Sequence, residues 1–342
     1  MAGKYLIWNF LFQLLLLLFL MHVTLIRMNI VILGGGGFIG SAIADRLLLD
    51  GHHLRIFERP RVEPYRQFSG TEQVEWTTGD ILSVHDISHA LEDMELVIHL
   101  VSTTLPKGSN DDPIYDVQSN LVGTLQILNA MVAMNIRKII FISSGGTVYG
   151  APQYLPIDEV HPCEPQVSYG ITKLAIEKYL NLYEKIYGIK TVTLRVANPF
   201  GKRQRVETAQ GAVSVFLHRA MNGQPIEIWG DGRVIRDYIY IDDVAEIFAH
   251  AVSYNGSKSI FNVSQGVGTS LNELVGIIEE ILGHTIEKRY LPARNCDVPI
   301  SVLCNNLARQ EMGWAPAVSL REGIKLTSEW MLKGLTHIVK ND

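Results

Sequence analysis

Tyr169 and Lys173 stand four residues apart in Tyr-Gly-Ile-Thr-Lys, inside a stretch whose apolar residues recur at helical spacing, so the phenol and the ammonium share one face. A phenol with its ordinary pKa of about 10 is a poor base at neutral pH, and a neighbouring cation favours the phenolate, so such a pair can take a proton from a hydroxyl and return it. Tyr and Lys at this spacing also arise by chance on amphipathic helices, and the pair gains meaning only from its surroundings. Gly34, Gly37 and Gly40 form Gly-x-x-Gly-x-x-Gly directly after the apolar run Ile30 to Leu33, and Phe38 and Ile39 open a helical pattern that continues to Leu49. Strand, glycine spacing and helix together predict a dinucleotide site. The glycines permit a tight turn and close backbone approach to a pyrophosphate, and the helix N-terminus offers unpaired N–H groups. Glu58, at the end of the next strand, can accept hydrogen bonds from adenosine ribose hydroxyls and repel a 2′-phosphate, which favours NAD over NADP. Arg59 and Arg61 beside it could instead welcome a phosphate, and a solvated strand-end glutamate is the plain alternative.

The elements that must position these groups follow from periodicity. From Met28 short β-branched runs alternate with helical stretches, the pattern of βαβ units and a parallel sheet covered on both faces. Strands are expected at Ile30 to Leu33, Leu54 to Phe57, Leu96 to Leu100, Lys138 to Ser143 and Thr191 to Val196, and helices at Ile39 to Leu49, Asn120 to Met134 and Tyr169 to Tyr187. The fold class is α/β, a doubly wound parallel sheet of Rossmann type. After Asn198 the rhythm loosens around Gly201, Gly223 and Gly230, then gives a helix at Leu271 to Leu282 and a proline-punctuated tail. The expected division is an NAD-binding domain over 28–197 plus about 236–260, and a smaller α/β substrate domain over 198–235 plus 261–342.

With these motifs in order the chain resembles the extended short-chain dehydrogenase/reductases, and within them the UDP-glucose (UDP-galactose) 4-epimerases, from Met28 to about Lys333. The resemblance is carried by Gly34 to Gly40, Gly79-Asp80-Ile81, His99-Leu100, Asn120 to Thr124, Ser143 to Gly150 ending Val-Tyr-Gly, and Tyr169 to Lys173. It continues through Arg195 to Gly201, Arg236-Asp237-Tyr238 ahead of Asp242-Asp243-Val244, and Gly313-Trp314. The resemblance implies NAD as cofactor and a nucleotide sugar, a UDP-hexose or UDP-N-acetylhexosamine, as substrate. It implies that Asp80 and Ile81 contact the adenine, that Leu100, Val101, Ser102 and Asn120 lie along the cofactor, and that Lys173 also holds its ribose hydroxyls. Asn198 and Arg236 would hold the sugar nucleotide's diphosphate, with Arg294 and Asp297 near the nucleoside. Ser301 aligns with a position that limits the pocket beside the C2 substituent, and a small serine there leaves room for an N-acetyl group. For Arg236 the plain alternative is a salt bridge to Asp237 or Asp242.

One departure from the pattern matters. The family carries a Ser or Thr three residues before Val-Tyr-Gly, and this chain has Gly145 there; Ser144 and Thr147 are the available hydroxyls. The pair Gly146-Thr147 also replaces the Asp-Glu pair of the dehydratase branch, removing the acid that branch places there. The expected reaction is 4-epimerisation, with Tyr169 taking the C4 hydroxyl proton as C4 is oxidised to a transient 4-keto sugar that turns over and is reduced on its other face. No metal is needed. A 4-keto-sugar reductase or dehydratase of surface-polysaccharide synthesis is the nearer rival, and a non-catalytic NAD-binding protein the remote one.

Composition sets the remaining bounds. The 342 residues suffice for two packed units, and a net charge of −5 without any basic run interleaved with aromatics argues against a nucleic-acid partner. The three cysteines, Cys163, Cys296 and Cys304, lack metal-like spacing and are too few for a disulfide framework, which fits a reducing, cytoplasmic location. The apolar stretch from Tyr5 to Ile26 is long enough to span a bilayer, yet it lacks a small-residue cleavage site, and Met28 stands directly before the first strand. A membrane anchor and a start at Met28 both remain open. A homodimer through the segments Asp112 to Met134 and Gly170 to Tyr187 is the further expectation.

Overall fold

The computed structural model of the chain describes residues 27–106, 108–206, 211–293 and 298–338. Seven parallel strands form one sheet in the order β10-β6-β5-β4-β1-β2-β3: β1 Asn29–Leu33, β2 His53–Glu58, β3 Val74–Thr78, β4 Leu96–His99, β5 Lys138–Ser144, β6 Lys190–Val196 and β10 Ile260–Val263. The order reverses at β1, so the first turn opens into the crevice at the carboxyl ends of β1 and β4, where ligands of doubly wound sheets collect. Both faces are covered, which explains why the strands read as nearly continuous apolar runs. The period of two divides them: Ile30, Ile32, Leu54, Ile56, Ile98 and Ile140 enter one core cluster, while Val31, Leu33, Phe57, Val97, Ile139 and Phe141 enter the other.

The first helix, α1 Phe38–Leu49, follows Gly37 directly. After α2 Val84–Leu91, a continuous helical run comprises α3 Pro113–Asp116, a π-helical stretch Val117–Val122 and α4 Gly123–Ala133. It starts earlier than the Asn120 to Met134 periodicity predicts, because Asp112 caps Tyr115 N–H at 2.9 Å and Pro113 occupies the first turn. Helix α5 Ser168–Tyr187 carries the tyrosine-lysine pair and ends on Gly188, whose φ of 68° is the left-handed cap.

Beyond β6 the chain leaves the large sheet. Strand β7 Asn198–Phe200 pairs with β9 Ile235–Tyr240, which also pairs with β11 Gly268–Ser270 and β13 Ile300–Ser301. Helix α6 Ala212–Met221 precedes β8 Ile226–Trp229, which pairs with β12 Lys288–Leu291. Helix α7 Ile241–Ser253 and β10 return to the large sheet, α7 packing on α1 with an Arg46–Glu246 ion pair at 2.5 Å. Helices α8 Leu271–Leu282, opened by a Ser270/Glu273 capping box, α9 Asn306–Met312 and α10 Leu320–Ile338 complete the fold. Among the described residues no helix is long and apolar enough to cross a membrane; the segment Tyr5 to Ile26 lies outside them.

Candidate functional site

A cleft of about 1150 Å³ runs along the carboxyl ends of β1, β2, β4 and β5. Its floor is the glycine turn. Gly34 has φ 83°, and a Cβ there would stand 3.3 Å from Val101 N, while one on Gly40 would lie 2.5 Å from Gly35 Cα. Those glycines let α1 close on the turn and the turn on the β4 end, leaving the helix N-terminus facing the cleft. Phe38, Ile39, Asp80, Ile81, Leu100, Val101 and Ser102 line it. Glu58 lines it too; burial pushes its carboxyl pKa up, against the N–H groups of Arg59, at 3.2 Å, and Gly36 that bind it. The size and the carboxylate at its second-strand end fit an adenine dinucleotide without a 2′-phosphate.

Tyr169 and Lys173 face this cleft from the first turns of α5, with Ser143 and Ser144 beside them from β5. Lys173 is buried. Its Nζ donates to Ile142 O at 3.0 Å and lies 5.6 Å from the Tyr169 ring centroid and 4.6 Å from that of Phe141. Burial lowers its pKa to about 8, and the carboxylates of Asp116 and Glu177 act in the opposite direction. Burial pushes Tyr169 up to about 12, while a hydrogen bond with Ser102 favours its ionised form and Asp116 opposes it. In this state the phenol holds its proton, and further positive charge in the cleft is what would mobilise it.

The structure separates the two candidate hydroxyls. Ser144 lines the cleft with Tyr169 and Lys173; Thr147 does not, and its Oγ1 is buried without a partner. Asn120 is placed behind the wall: its Oδ1 accepts Thr103 N–H at 2.9 Å and its Nδ2 donates to Asp116 Oδ1 at 2.9 Å, so it braces the Ser102–Thr104 loop. A second cavity of about 220 Å³ holds Asn198 and Arg236, and Pro199 lines both spaces. Asn198 Nδ2 donates to Asp237 O at 2.8 Å, and Arg236 donates to Val298 O at 2.6 Å. Ser301 is buried in β13, in register with Arg236 and outside the lining of either cavity. Arg294 and Asp297 lie outside the described residues.

Three lining or bracing groups escaped the sequence reading. Tyr65 and Arg205 close the cleft from loops 140 positions apart, with Arg205 Cζ 4.0 Å from the Tyr65 ring centroid. No local spacing announces such a pair. Asp116 is the third, and only its place in a capped helical start marked it.

These features define a dinucleotide enzyme of the doubly wound class with a Tyr-Lys pair on one wall. Residues 30–264 match the model of the NAD dependent epimerase/dehydratase family, and the chain belongs to that family, with NAD as its cofactor. It is 36% identical over 308 residues to a UDP-glucose 4-epimerase of Mycolicibacterium smegmatis, covering 89% of this chain and 98% of the relative. The Thermotoga maritima UDP-glucose 4-epimerase solved with UDP-glucose superposes with a TM-score of 0.86 at 33% identity, over 90% of this chain and 100% of that one. A UDP-N-acetylglucosamine 4-epimerase from Methanobrevibacter ruminantium, solved with UDP-N-acetylmuramic acid, gives 0.84 at 28% identity, over 90% and 99%.

Proposed function

We propose that this chain is an NAD-dependent nucleotide-sugar 4-epimerase acting on a UDP-hexose or UDP-N-acetylhexosamine through a transient 4-keto sugar. The observation that carries the reading is the meeting of two spaces at Pro199: a dinucleotide cleft with Tyr169, Lys173 and Ser144 on its wall, and a cavity with Asn198 and Arg236. Bound NAD supplies the acceptor and donor of hydride at C4. Tyr169 takes the C4 hydroxyl proton and returns it, Lys173 keeps that proton mobile and holds ribose hydroxyls, and Ser144 donates to the C4 oxygen. Asn198 and Arg236 hold the diphosphate, a planar guanidinium being suited to phosphate oxygens. Binding energy invested in the nucleotide leaves the hexose free to turn and present its other face.

The work divides between a cofactor-holding unit, 28–197 plus about 236–260, and a nucleotide-holding unit, 198–235 plus 261–342. The N-acetyl reading at Ser301 rests on the resemblance alone, since that side chain is buried in β13 and lines neither cavity. Exposed apolar side chains on the proposed dimer helices, among them Ile114, Ile171, Leu182 and Ile186, support a homodimer, and the scarcity of cysteine supports a cytoplasmic location.

The test is incubation of the purified protein with UDP-galactose and with UDP-N-acetylgalactosamine without added reductant, following products by NMR. Formation of the gluco sugars is expected. No interconversion of either sugar, together with stoichiometric NADH oxidation when a UDP-4-keto-hexose is supplied, would replace the epimerase with a keto-sugar reductase, and turnover of UDP-galactose alone would remove the argument from Ser301. Light scattering on the same sample reads the dimer, which a monomer mass would overturn.

A further inference from the structure

We propose that Asp116 is a positioning residue for this chemistry: its carboxylate ties the catalytic turn of α5 to the Ser102–Thr104 loop, and its charge keeps Lys173 an ammonium. The proposal rests on the epimerase reading for its mechanism, though its first test does not. Asp116 is fully buried at the end of α3, yet no arginine or lysine pairs with it among the described residues. Four side-chain donors satisfy it instead. Ser168 Oγ and Thr172 Oγ1 each donate to Oδ2 at 2.7 Å, Asn120 Nδ2 donates to Oδ1 at 2.9 Å, and Thr104 Oγ1 donates to Oδ1.

The identity of those donors gives the carboxylate its role. Ser168 directly precedes Tyr169, and Thr172 directly precedes Lys173, so two bonds fix the orientation of the turn that presents both groups. Thr104 belongs to the loop whose Ser102 lines the cleft with Tyr169 and donates to Thr104 O at 3.1 Å, and Asn120 braces the same loop through Thr103 N–H. One buried anion therefore sets the distance between the tyrosine and the wall that faces it. A buried carboxylate held by hydroxyl and amide donors stays ionised without neutralisation by a cation, so it keeps a net negative charge that acts on its neighbours.

The charges around Lys173 show what that field does. Tyr169 and Glu177 lie on its own helix, neutral His99 faces it from β4, and the Ile142 carbonyl and Phe141 ring face it from β5. Glu177 is already committed to Arg195, with bonds of 3.0 and 2.6 Å, and accepts Ser143 Oγ at 2.5 Å. Asp116 is thus the anion near Lys173 that carries no cation of its own, and removing its charge leaves the buried ammonium with less to offset its desolvation.

The experiment titrates the Lys173 side chain by 13Cε NMR in protein carrying labelled lysine, with the resonance assigned by its absence in Lys173→Met. The wild-type midpoint is expected near 8 and that of Asp116→Asn about one pH unit lower. An unmoved midpoint in folded Asp116→Asn overturns the electrostatic half, whether or not the protein turns over any UDP-sugar. If turnover is established, its alkaline limb moves down with the midpoint, whereas a merely structural residue would lower the rate without moving the limb. Should Asp116→Asn not fold, Ser168→Ala/Thr172→Val keeps the charge and cuts its bonds to α5. That double variant is expected to retain NAD and the midpoint near 8 while kcat falls about ten-fold; unchanged kcat overturns the positioning half.

Discussion

A Cβ at position 145 would lie 2.3 Å from Leu303 Cδ1, 3.1 Å from Arg195 O and 3.4 Å from Val196 O. Leu303 is fully buried with Val148, Tyr149 and Ile157, so it fills the space any side chain at 145 would need, and that direction leads into a core cluster rather than the cleft. The residue before it faces the other way, and Ser144 thereby meets Tyr169 and Lys173. The glycine is a local exchange in which Leu303 takes one side and the hydroxyl moves back by one. We predict that Ser144→Ala lowers kcat by about 10²–10³-fold with NAD content unchanged, since it removes a donor to the oxygen on which charge develops. Thr147→Val, which removes a buried hydroxyl without a partner, is expected to change kcat less than about three-fold and to leave stability level or slightly raised. Steady-state kinetics on the two variants decide between them, and the reverse ranking would assign the role to Thr147.

The loop after β2 and the loop after β7 belong together as a strap. Tyr65 N–H donates to Gly36 O at 2.8 Å, Arg205 donates to Glu63 O at 3.2 Å and lies over the Tyr65 ring, and Asp45 of α1 binds Arg66 at 2.5 Å and Arg203 at 2.7 Å. An enzyme that must finish each oxidation with a reduction gains from retaining its dinucleotide, and these contacts cover the cleft. A partly exposed cation–π contact contributes about 0.5–2 kcal/mol, so Tyr65→Ala should weaken NAD binding about ten-fold. Measured NAD content after gel filtration falls if the strap retains the cofactor and stays full if it does not. What the sequence announces at this scale has a clear physical source. Buried parallel strands and the glycine turn are local patterns, so β1, α1, β5 and α5 fall where periodicity puts them to within a residue or two. The edge strand Val74–Thr78 is half exposed and gives no apolar run, and the Tyr65–Arg205 contact is set by tertiary closure alone. Asn120 shows the limit of transfer by resemblance, since its position is kept while its hydrogen bonds go to the loop behind the cleft wall.

For the molecule as a whole, the polar groups buried between sheet and helices tie stability to pH, and His99 shows the sign. Its Nε2 lies 2.9 Å from Thr124 Oγ1, and Thr124 gives its single hydroxyl proton to Asn120 O at 2.6 Å, so the imidazole must donate from Nε2 and leave Nδ1 bare. Nδ1 is buried without a partner. A second proton would therefore sit on an unsatisfied nitrogen near the Lys173 ammonium, and burial, followed by that charge, lowers the His99 pKa to about 3. In the unfolded chain an ordinary histidine titrates near 6.5. The folded protein thus refuses a proton that the unfolded chain accepts, so this contribution to stability is complete above about pH 6.5 and is lost progressively as pH falls toward 3. With one proton involved, the loss between pH 7.5 and pH 5 is about 2 kcal/mol. Buried carboxyls such as Asp237, raised by burial to about 6, contribute with the opposite sign over this window, so the His99 contribution is read as a difference. By urea unfolding at the two pH values, the change for His99→Gln, which keeps a donor for Thr124 and cannot take up a proton, should be less destabilising than that of the wild type by about 2 kcal/mol. Equal changes in the two proteins would mean that His99 is protonated in the fold with an acceptor for Nδ1, and the tautomer derived from Thr124 would be wrong.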